Sequence, residues 1–295
     1  MKLRVDPVPV FWRKASCWRK LRLLRYFGNM ETFIAQKYLK EMNNLRREDG
    51  GFSRTSDEQS SVTVTAEAIM NLICSGVSPN SPSVQKALNF LLSLQKENGS
   101  WRENPKLSKD RIPFWSSCEK GVPILTADCI EAFVEAGYRN DERIIKAVEW
   151  LKQMQSPDGM WLSLEDTDPN DTEPDSTQRA ISALIKFGLP KDSHIIKNAC
   201  VALEKFILRE AAEWAKTHPP VWPWIASLDG LVAAGYTVEN KAVNYALKNI
   251  VEQQQEDGSW PNNYELRVVP TLIKLDIIQK EQASETIKVV DSEQA

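Results

Sequence analysis

Two carboxylates with a spacing suited to proton transfer are Glu173 and Asp175. They flank Pro174 and stand directly before Ser176-Thr177, where a helical segment begins. A carboxyl that an apolar environment keeps neutral can donate a proton, and a neighbouring carboxyl or hydrogen bond tunes its pKa. We therefore expect Asp175 to act as an acid that Glu173 tunes. The competing interpretation is structural, because an Asp in front of Ser-Thr is a good helix N-cap.

Asp128 is the other carboxylate whose surroundings suggest acid chemistry. It lies in a segment rich in apolar residues that runs from Leu125 to Gly137. Burial in such a helix raises the pKa of a carboxyl, so Asp128 is a second candidate acid. A structural carboxyl with satisfied hydrogen bonds, or one that faces solvent, is the competing interpretation.

An acidic stretch is a candidate metal site. Residues 163–175 contain six carboxylates and no basic residue. Within it, Asp166-Thr-Asp168-Pro-Asn170-Asp171 resembles the start of an EF-hand loop, which predicts a Mg²⁺ or Ca²⁺ site with Asp166, Asp168 and Asp171 as candidate ligands. Asp171 stands where that loop requires Gly, however, and Thr177 stands where it requires Glu. A solvated loop without metal is therefore the default interpretation.

Aromatic side chains precede several of the helical segments and are candidates for substrate binding. Phe114 and Trp115 come before the segment that contains Asp128, Trp222 and Trp224 begin a later one, and Tyr264 lies near the last. Rings at these positions can line a cavity. Ordinary packing between loop and helix is the alternative.

Three copies of one motif organise the chain that carries these residues. The motif is Gln-x-x-x-Gly-x-Trp, with an Ala eight residues before the Gln. Its copies are Gln95–Trp101, Gln155–Trp161 and Gln254–Trp260, and the alanines are Ala87, Ala147 and Ala246. This fixed geometry marks an internal repeat, and a repeat determines the architecture.

Each repeat unit pairs two helices. An apolar helix ends at a Gly, and an amphipathic helix with a wet face rich in Lys and Glu follows it and ends at the motif. The apolar segments are 64–76, 125–137, 176–188 and 225–235, and a degenerate amphipathic copy covers 199–207. The alternation predicts an all-α fold, a closed α/α barrel (toroid) of about five to six inner/outer helix pairs. An open α-solenoid is the alternative.

The repeats predict a single toroid domain over residues 29–279, followed by a polar C-terminal tail over 280–295. Residues 1–28 form a basic segment with eight Lys and Arg against one Asp. Residues 11–27 mix these bases with Trp, Leu and Phe, so we expect them to pack on the toroid and leave the bases in water. Peripheral contact with an anionic membrane surface and a basic groove for a diphosphate are the alternatives.

Composition limits the function classes. The five cysteines are scattered, and the two histidines lie far from any cysteine cluster. A zinc site is therefore not expected, and free thiols fit a reducing cytoplasm. No apolar run has the length of a signal-peptide core or a bilayer span, so we expect a cytoplasmic protein, peripheral to the inner face of the membrane if residues 11–27 bind lipid. The net charge of −3 says little about partners, and we expect a hydrophobic small molecule rather than a nucleic acid.

The repeated motif resembles that of the squalene-hopene and oxidosqualene cyclases, which are class II terpene cyclases; the same toroid occurs in protein prenyltransferase β subunits. The resemblance covers roughly residues 30–276 and is that of a single-domain member. It implies a central cavity lined by aromatic rings, where an Asp protonates an isoprenoid and the rings stabilise the carbocation. It also implies that no cofactor is required, with Mg²⁺ needed only for a prenyl diphosphate substrate.

The acid motif of that family, Asp-x-Asp-Asp-Thr-Ala, is altered in this chain. Thr126-Ala127 match its end, but residues 122–125 read Val-Pro-Ile-Leu and supply no carboxylate. Asp175 precedes Thr177 by two residues, as the middle Asp of the family motif precedes its Thr. The resemblance therefore implies an acid relocated to Asp175, with Asp128 as the other substitute.

The sequence thus predicts a terpene cyclase-like enzyme of isomerase or lyase type that cyclises an isoprenoid after protonation by a non-standard acid. The alternative is a toroid that binds an isoprenoid, lipid or peptide without cyclising it. A protein prenyltransferase subunit fits less well, because Asp128 and Cys129 are adjacent and no His accompanies them to hold zinc. An α/α-barrel glycosidase would need a carboxylate pair, which residues 165–175 contain, but the Trp motifs favour the cyclase.

Overall fold

A computed structural model describes residues 2–294 of the chain. The helices, in chain order, are α1 Val8–Lys14, α2 Cys17–Phe27, α3 Phe33–Asn43, α4 Val62–Cys74, α5 Pro82–Ser93, α6 Pro123–Glu135, α7 Glu142–Gln153, α8 Pro174–Phe187, α9 His194–Arg209, α10 Ala211–Thr217, α11 Trp222–Ala234, α12 Lys241–Glu252, α13 Glu265–Lys274 and α14 Lys280–Glu293. Two short strands, β1 Trp161–Leu162 and β2 Thr172–Glu173, pair antiparallel. Single 3₁₀ turns cover Lys109–Arg111 and Pro261–Asn263.

Six helices form an inner ring around a central cavity. They are α2, α4, α6, α8, α11 and α13, which pack side by side in that order, and each contributes side chains to the cavity wall. The other long helices pack outside this ring, and the short α10 is inserted between α9 and α11. The predicted all-α toroid is confirmed.

Inner and outer helices differ in how their apolar residues are distributed. The inner helix α11 buries Ile225, Leu228 and Leu231 on several sides, because it packs between two inner neighbours and an outer layer. The outer helix α12 buries one stripe that includes Val243 and Leu247 and leaves its lysines in solvent. This contrast is what the two kinds of periodicity in the sequence predict.

The repeated tryptophans lock each outer helix to the inner helix that follows it. The indole Nε1 of Trp161 donates to the carbonyl of Leu151 in α7 at 2.6 Å. Its backbone N–H donates to Oγ1 of Thr177, in the first turn of α8, at 2.9 Å. Trp101 makes the same pair of bonds, with its backbone N–H on Thr126 Oγ1 at 2.9 Å. Both rings are completely buried. Thr126 and Thr177 therefore occupy equivalent structural positions.

The Gln and Gly of the motif join each outer helix to the next one. Gln155 Nε2 donates to the carbonyl of Ile195 in α9 at 2.9 Å. Gly159 has φ +97°, and a Cβ at this position would lie 2.6 Å from the carbonyl oxygen of Asn198. Glycine is therefore required here both by the left-handed backbone and by the close approach of α9.

The last copy of the motif closes the ring. Gln254 Nε2 donates to the carbonyl of Val5 at 2.9 Å, and a Cβ on Gly258 would lie 2.9 Å from the Val5 side chain. The segment before α1 thus accepts the same hydrogen bond from a motif Gln that α7 and α9 accept from the earlier copies. On the inner side, Arg19 Nη1 of α2 donates to the carbonyl of Leu266 in α13 at 2.9 Å. An open solenoid is excluded because both layers close.

Two expectations for the ends of the chain are wrong. Residues 280–293 form helix α14, whose apolar Ala283, Ile287 and Val290 are buried at helical spacing, so this segment packs on the toroid rather than forming a polar tail. Residues 1–28 include α2, which is an inner helix of the ring. The apolar side of this segment packs as expected, but several of its bases face the cavity rather than bulk water.

Candidate functional site

The centre of the toroid holds a cavity of about 530 Å³. Charged side chains contribute much of its wall. The cations are Arg19, Arg22, Arg25, Arg179, Arg267 and Lys274, and the carboxylates are Glu67, Glu131, Glu173, Asp175 and Asp229. Phe114, Trp115 and Trp222 also line the cavity, so the aromatic lining that the resemblance implied is present but shares the wall with these charges.

A belt of ion pairs crosses the cavity wall at one level. Arg22, Glu67, Asp128 and Arg179 are each the sixth residue of their inner helices, so they lie at similar depth. Arg22 binds Glu67 through Nε at 3.0 Å and Nη2 at 2.5 Å. Arg179 Nη1 lies 3.3 Å from Asp128 Oδ1. The buried Glu67 is also held by Arg25 at 3.0 Å, and these arginines outweigh desolvation and lower its pKa to about 2.

Asp175 lies in the first turn of α8 and lines the cavity, as the resemblance implied. Its Oδ1 lies 2.6 Å from Arg267 Nη2, and its Oδ2 accepts from Trp222 Nε1 at 2.6 Å. Burial raises the pKa of this carboxyl, but the Arg267 guanidinium and the Trp222 donor hold it below its usual value. These two contacts favour the ionised form of Asp175, and the N-cap of α8 is Glu173.

Glu173 has the properties that were expected of Asp175. Strand β2 positions it, since Glu173 pairs with Trp161 of the second motif copy. Its Oε1 accepts from Ser176 Oγ at 2.9 Å, which leaves Oε2 available. Burial and the neighbouring Asp175 charge raise the pKa of Glu173 to about 7. The pKa values of the two carboxyls thus shift in the opposite sense to the expectation.

Asp128 does not belong to the cavity lining. It lies behind Arg179, is 5% exposed, and leaves Oδ2 without a hydrogen-bond partner among the described residues. Burial raises its pKa to about 6, although Arg179 opposes this. Direct contact with a ligand in the cavity is therefore not available to Asp128 in this arrangement.

The structure divides the predicted aromatic residues into two groups. Phe114, Trp115 and Trp222 line the cavity, and Phe114 is 95% exposed at its rim. Trp224 is buried against Tyr245 outside the lining, and Tyr264 is half-buried outside it. The first group can face a ligand, whereas the second packs the fold.

The predicted metal site is not formed. In residues 2–294 no group of three or more His, Cys, Asp or Glu side chains is arranged to hold a metal ion. Asp168 instead accepts from the backbone and side-chain nitrogens of Asn170, and Asp171 accepts from Ser163 Oγ at 2.7 Å. These contacts shape a solvated loop, and Asp166 adopts a left-handed turn conformation with φ 60°.

The alternative interpretation of residues 11–27, contact with a membrane surface, finds no support in the fold. Phe11, Trp12, Leu21 and Leu24, the apolar residues that would enter lipid, are buried in the protein. None of the helices described is both long and apolar enough to cross a bilayer.

Sequence reasoning missed the arginines of the cavity. Arg19, Arg22 and Arg25 recur every three residues and so share one face of α2, which was the available signal. Arg179 shares its face of α8 with Asp175 and Ser182, so the sequence alone indicates an ordinary polar face there. Arg267 had no such signal, because its partner Asp175 meets it only through the curvature of the ring.

Comparison with known proteins supports this fold. Residues 8–115 match the family described as the prenyltransferase alpha-alpha toroid domain. Lanosterol synthase from Saccharomyces cerevisiae is 34% identical over 82 residues, covering 28% of this chain and 11% of that protein. Squalene–hopene cyclase from Zymomonas mobilis is 25% identical over 178 residues, covering 58% of this chain and 25% of that protein.

Among solved structures, a variant of the type II terpene cyclase MstE from Scytonema, in complex with geranylgeranyl dihydroxybenzoate, superposes with a TM-score of 0.57. The identity is 16%, over 83% of this chain and 70% of that one, so the likeness concerns the fold. The chain spans about a tenth to a quarter of the length of the curated relatives. In its repeats, in the match over residues 8–115 and in its fold, the chain is similar to the α/α toroid proteins of the prenyltransferases and squalene cyclases.

Proposed function

We propose that the protein binds an isoprenoid in the central cavity and cyclises it after proton transfer from Glu173. The observation that carries this proposal is the position of Glu173 on the wall of a toroid cavity beside Asp175, where burial and the Asp175 charge raise its pKa to about 7. A carboxyl that stays partly protonated near neutral pH can act as a general acid. Asp175 contributes by raising the pKa of Glu173 through its negative charge.

The geometry suggests how the proton moves. Ser176 Oγ holds Oε1 of Glu173, so Oε2 carries the proton that is delivered to a carbon of the substrate double bond. The double bond becomes a carbocation, which a second double bond attacks to close a ring. Loss of a proton from the final cation returns the acid to its starting state. Trp115 and Trp222 on the same wall can stabilise the cation through their π faces.

The cavity volume and the likeness to MstE guide the choice of substrate. A volume near 530 Å³ is within the range of pockets that enclose a small organic ligand. The solved MstE complex contains geranylgeranyl dihydroxybenzoate, so a geranylgeranyl chain is the first substrate to test. Mg²⁺ is proposed as a requirement only for a diphosphate substrate.

A second candidate is binding without cyclisation. The charged belt favours it, because cationic arginines on the cavity wall disfavour a carbocation nearby. The ion pair between Asp175 and Arg267 also occupies the position where the resemblance implied the acid. In this case the toroid would hold an isoprenoid and release it unchanged.

The two candidates are separated by a product assay. Purified protein is incubated with squalene, farnesyl and geranylgeranyl diphosphates and prenylated hydroxybenzoates, with and without Mg²⁺, and the extracts are analysed by mass spectrometry. We expect a cyclised isomer from at least one substrate, and its loss in Glu173→Gln. Bound substrate that is always recovered unchanged would instead establish the binding function.

Asp166→Asn is the matched control for that variant. It makes the same carboxyl-to-amide change in the acidic loop, outside the cavity lining, at a left-handed position that Asn tolerates. We expect it to retain activity. Equal loss of product in both variants would mean that Glu173 is not the specific acid.

A further inference from the structure

Arg19 is a cavity cation without a carboxylate partner in the part of the chain that the structure describes. Its Nη1 donates to the carbonyl of Leu266 at 2.9 Å, and this is its only side-chain hydrogen bond there. By contrast, Arg22 is engaged twice by Glu67, and Arg267 binds both Asp175 and Asp229. Arg19 thus faces the cavity with most of its N–H donors free.

Arg179 is also only partly engaged. Its one carboxylate contact is through Nη1, 3.3 Å from Asp128, which is long for a charge-assisted hydrogen bond. It projects from α8, whereas Arg19 projects from α2, three places away in the six-helix ring. The two guanidinium groups therefore face the cavity from opposite walls.

The charges of the cavity arginines act on one another. Burial, followed by repulsion from Arg22, Arg267 and Arg179, lowers the pKa of Arg19 to about 10. Arg19 is still cationic near neutral pH, so the protein holds like charges close together in a partly desolvated space. A bound anion would relieve this repulsion, and guanidinium groups bind carboxylates and phosphates in a bidentate manner.

The charge balance indicates the size of that anion. Six cationic side chains line the cavity with five carboxylates, one of which is Glu173. When Glu173 is protonated and Asp128 behind Arg179 is ionised, a single positive charge is left uncompensated. One negative charge therefore matches the cavity, whereas the several charges of a diphosphate exceed it.

We propose that Arg19 and Arg179 bind the carboxylate head group of an amphiphilic isoprenoid, a singly charged anion seated between opposite walls of the toroid. This rests on the proposed function, because the isoprenoid tail occupies the same cavity. The head group lies toward the arginines, and the tail extends along the wall that carries Trp115, Trp222 and Glu173. The site selects substrates by the charge of the head group as well as by the tail.

The test compares ligands that share one tail and differ in the head group. Binding of geranylgeranoic acid, geranylgeraniol and geranylgeranyl diphosphate is measured by calorimetry at pH 7. We expect the acid to bind at least about tenfold more tightly than the alcohol, because a charged carboxylate–guanidinium contact is added. Equal affinities for acid and alcohol would overturn the site, and tighter binding of the diphosphate than of the acid would overturn its assignment to a single charge.

Variants of Arg19 test whether tighter binding of the acid than of the alcohol depends on this residue. Arg19→Gln is expected to bring the ratio of acid to alcohol affinity close to one, and Arg19→Lys to restore part of it, since the charge returns without the planar fork. Lys120→Gln removes an exposed positive charge outside the cavity lining and should leave the ratio unchanged. A ratio that persists in Arg19→Gln contradicts the proposal.

The outcomes also separate this site from the proposed reaction. Cyclisation of the alcohol together with equal affinity for acid and alcohol would keep the reaction and reject the anion site. Tight, Arg19-dependent binding of the acid without any cyclised product from the whole panel would keep the anion site and reject the reaction.

Discussion

At the scale of residues, two neighbouring carboxyls differ because their partners differ. Asp175 has an arginine and an indole N–H, both of which favour the ionised form. Glu173 is desolvated beside the negative charge of Asp175, and both effects favour its protonated form, although its one hydroxyl donor opposes them. Their order in the chain does not reveal this division, because Arg267 and Trp222 come from distant helices. The sequence predicted the pair and not the roles.

The raised pKa of Glu173 predicts a pH dependence of turnover. The protonated fraction of Glu173 falls as pH rises through about 7, so the rate of product formation should decline on the alkaline side. The rate measured from pH 5 to 9 tests this. A rate that rises through pH 7 would show that Glu173 acts as a base or not at all.

The same shift predicts a change in folding stability. The folded protein binds the Glu173 proton more tightly than the unfolded chain, whose Glu pKa is near 4.5. The contribution of Glu173 to the free energy of unfolding is therefore fully present below pH 4.5 and is lost as pH rises to about 7. Denaturant titrations give the free energy of unfolding of wild type and of Glu173→Gln. The difference between these two free energies should change between pH 4.5 and about 7. A constant difference would contradict the shift.

At the scale of elements, the repeated motif decided what the sequence could predict. The motif predicted the helix pairs because its Gln, Gly and Trp make the same contacts at the ends of successive outer helices. The helix α14 was missed since its apolar residues are few and its partner α1 is at the other end of the chain. The inward direction of Arg22 and Arg25 was missed because it depends on α2 being an inner helix.

Two glycines with similar backbones provide a test of the motif. Gly159 and Gly137 have φ +97° and +88°, so Ala at either position adopts an unfavourable left-handed conformation, which costs about 1–2 kcal/mol. Only at Gly159 does the added Cβ also meet backbone, 2.6 Å from the Asn198 carbonyl oxygen, whereas nothing lies within 4 Å at Gly137.

We therefore expect Gly159→Ala to lower the melting temperature clearly more than Gly137→Ala does. The extra loss should be at least about 2–4 °C, corresponding to about 1 kcal/mol in a domain of this size. Thermal unfolding followed by circular dichroism provides the measurement. Equal losses in the two variants would show that the motif glycine does not fix the spacing between outer helices.

At the scale of the whole molecule, closure of the ring depends on contacts between distant parts of the chain. Asp291 in α14 accepts hydrogen bonds from Trp12 Nε1 at 3.1 Å and from the Tyr38 hydroxyl, and it pairs with Lys37 at 3.1 Å. These bonds join α1, α3 and α14 across the seam. Closure is also what gives the cavity its opposed walls.

Replacement of Asp291 tests the seam. Asp291→Ala leaves Trp12 Nε1 and the Tyr38 hydroxyl without their acceptor, so we expect a loss of about 2–3 kcal/mol in the free energy of unfolding. Glu285→Ala on the same helix removes an exposed carboxylate that pairs with Lys288, and should cost far less. Urea titration distinguishes the two, and an unperturbed Asp291→Ala protein would contradict this account of closure.

Delivery of a proton from Glu173 to an isoprenoid carbon can be followed by running the reaction in deuterium oxide. The acid exchanges its proton with solvent, so the cyclised product should contain one carbon-bound deuterium, detected as a mass increase of about one unit, and Glu173→Gln should form no such product. A product without deuterium, or labelled product formed equally well by Glu173→Gln, would contradict the account.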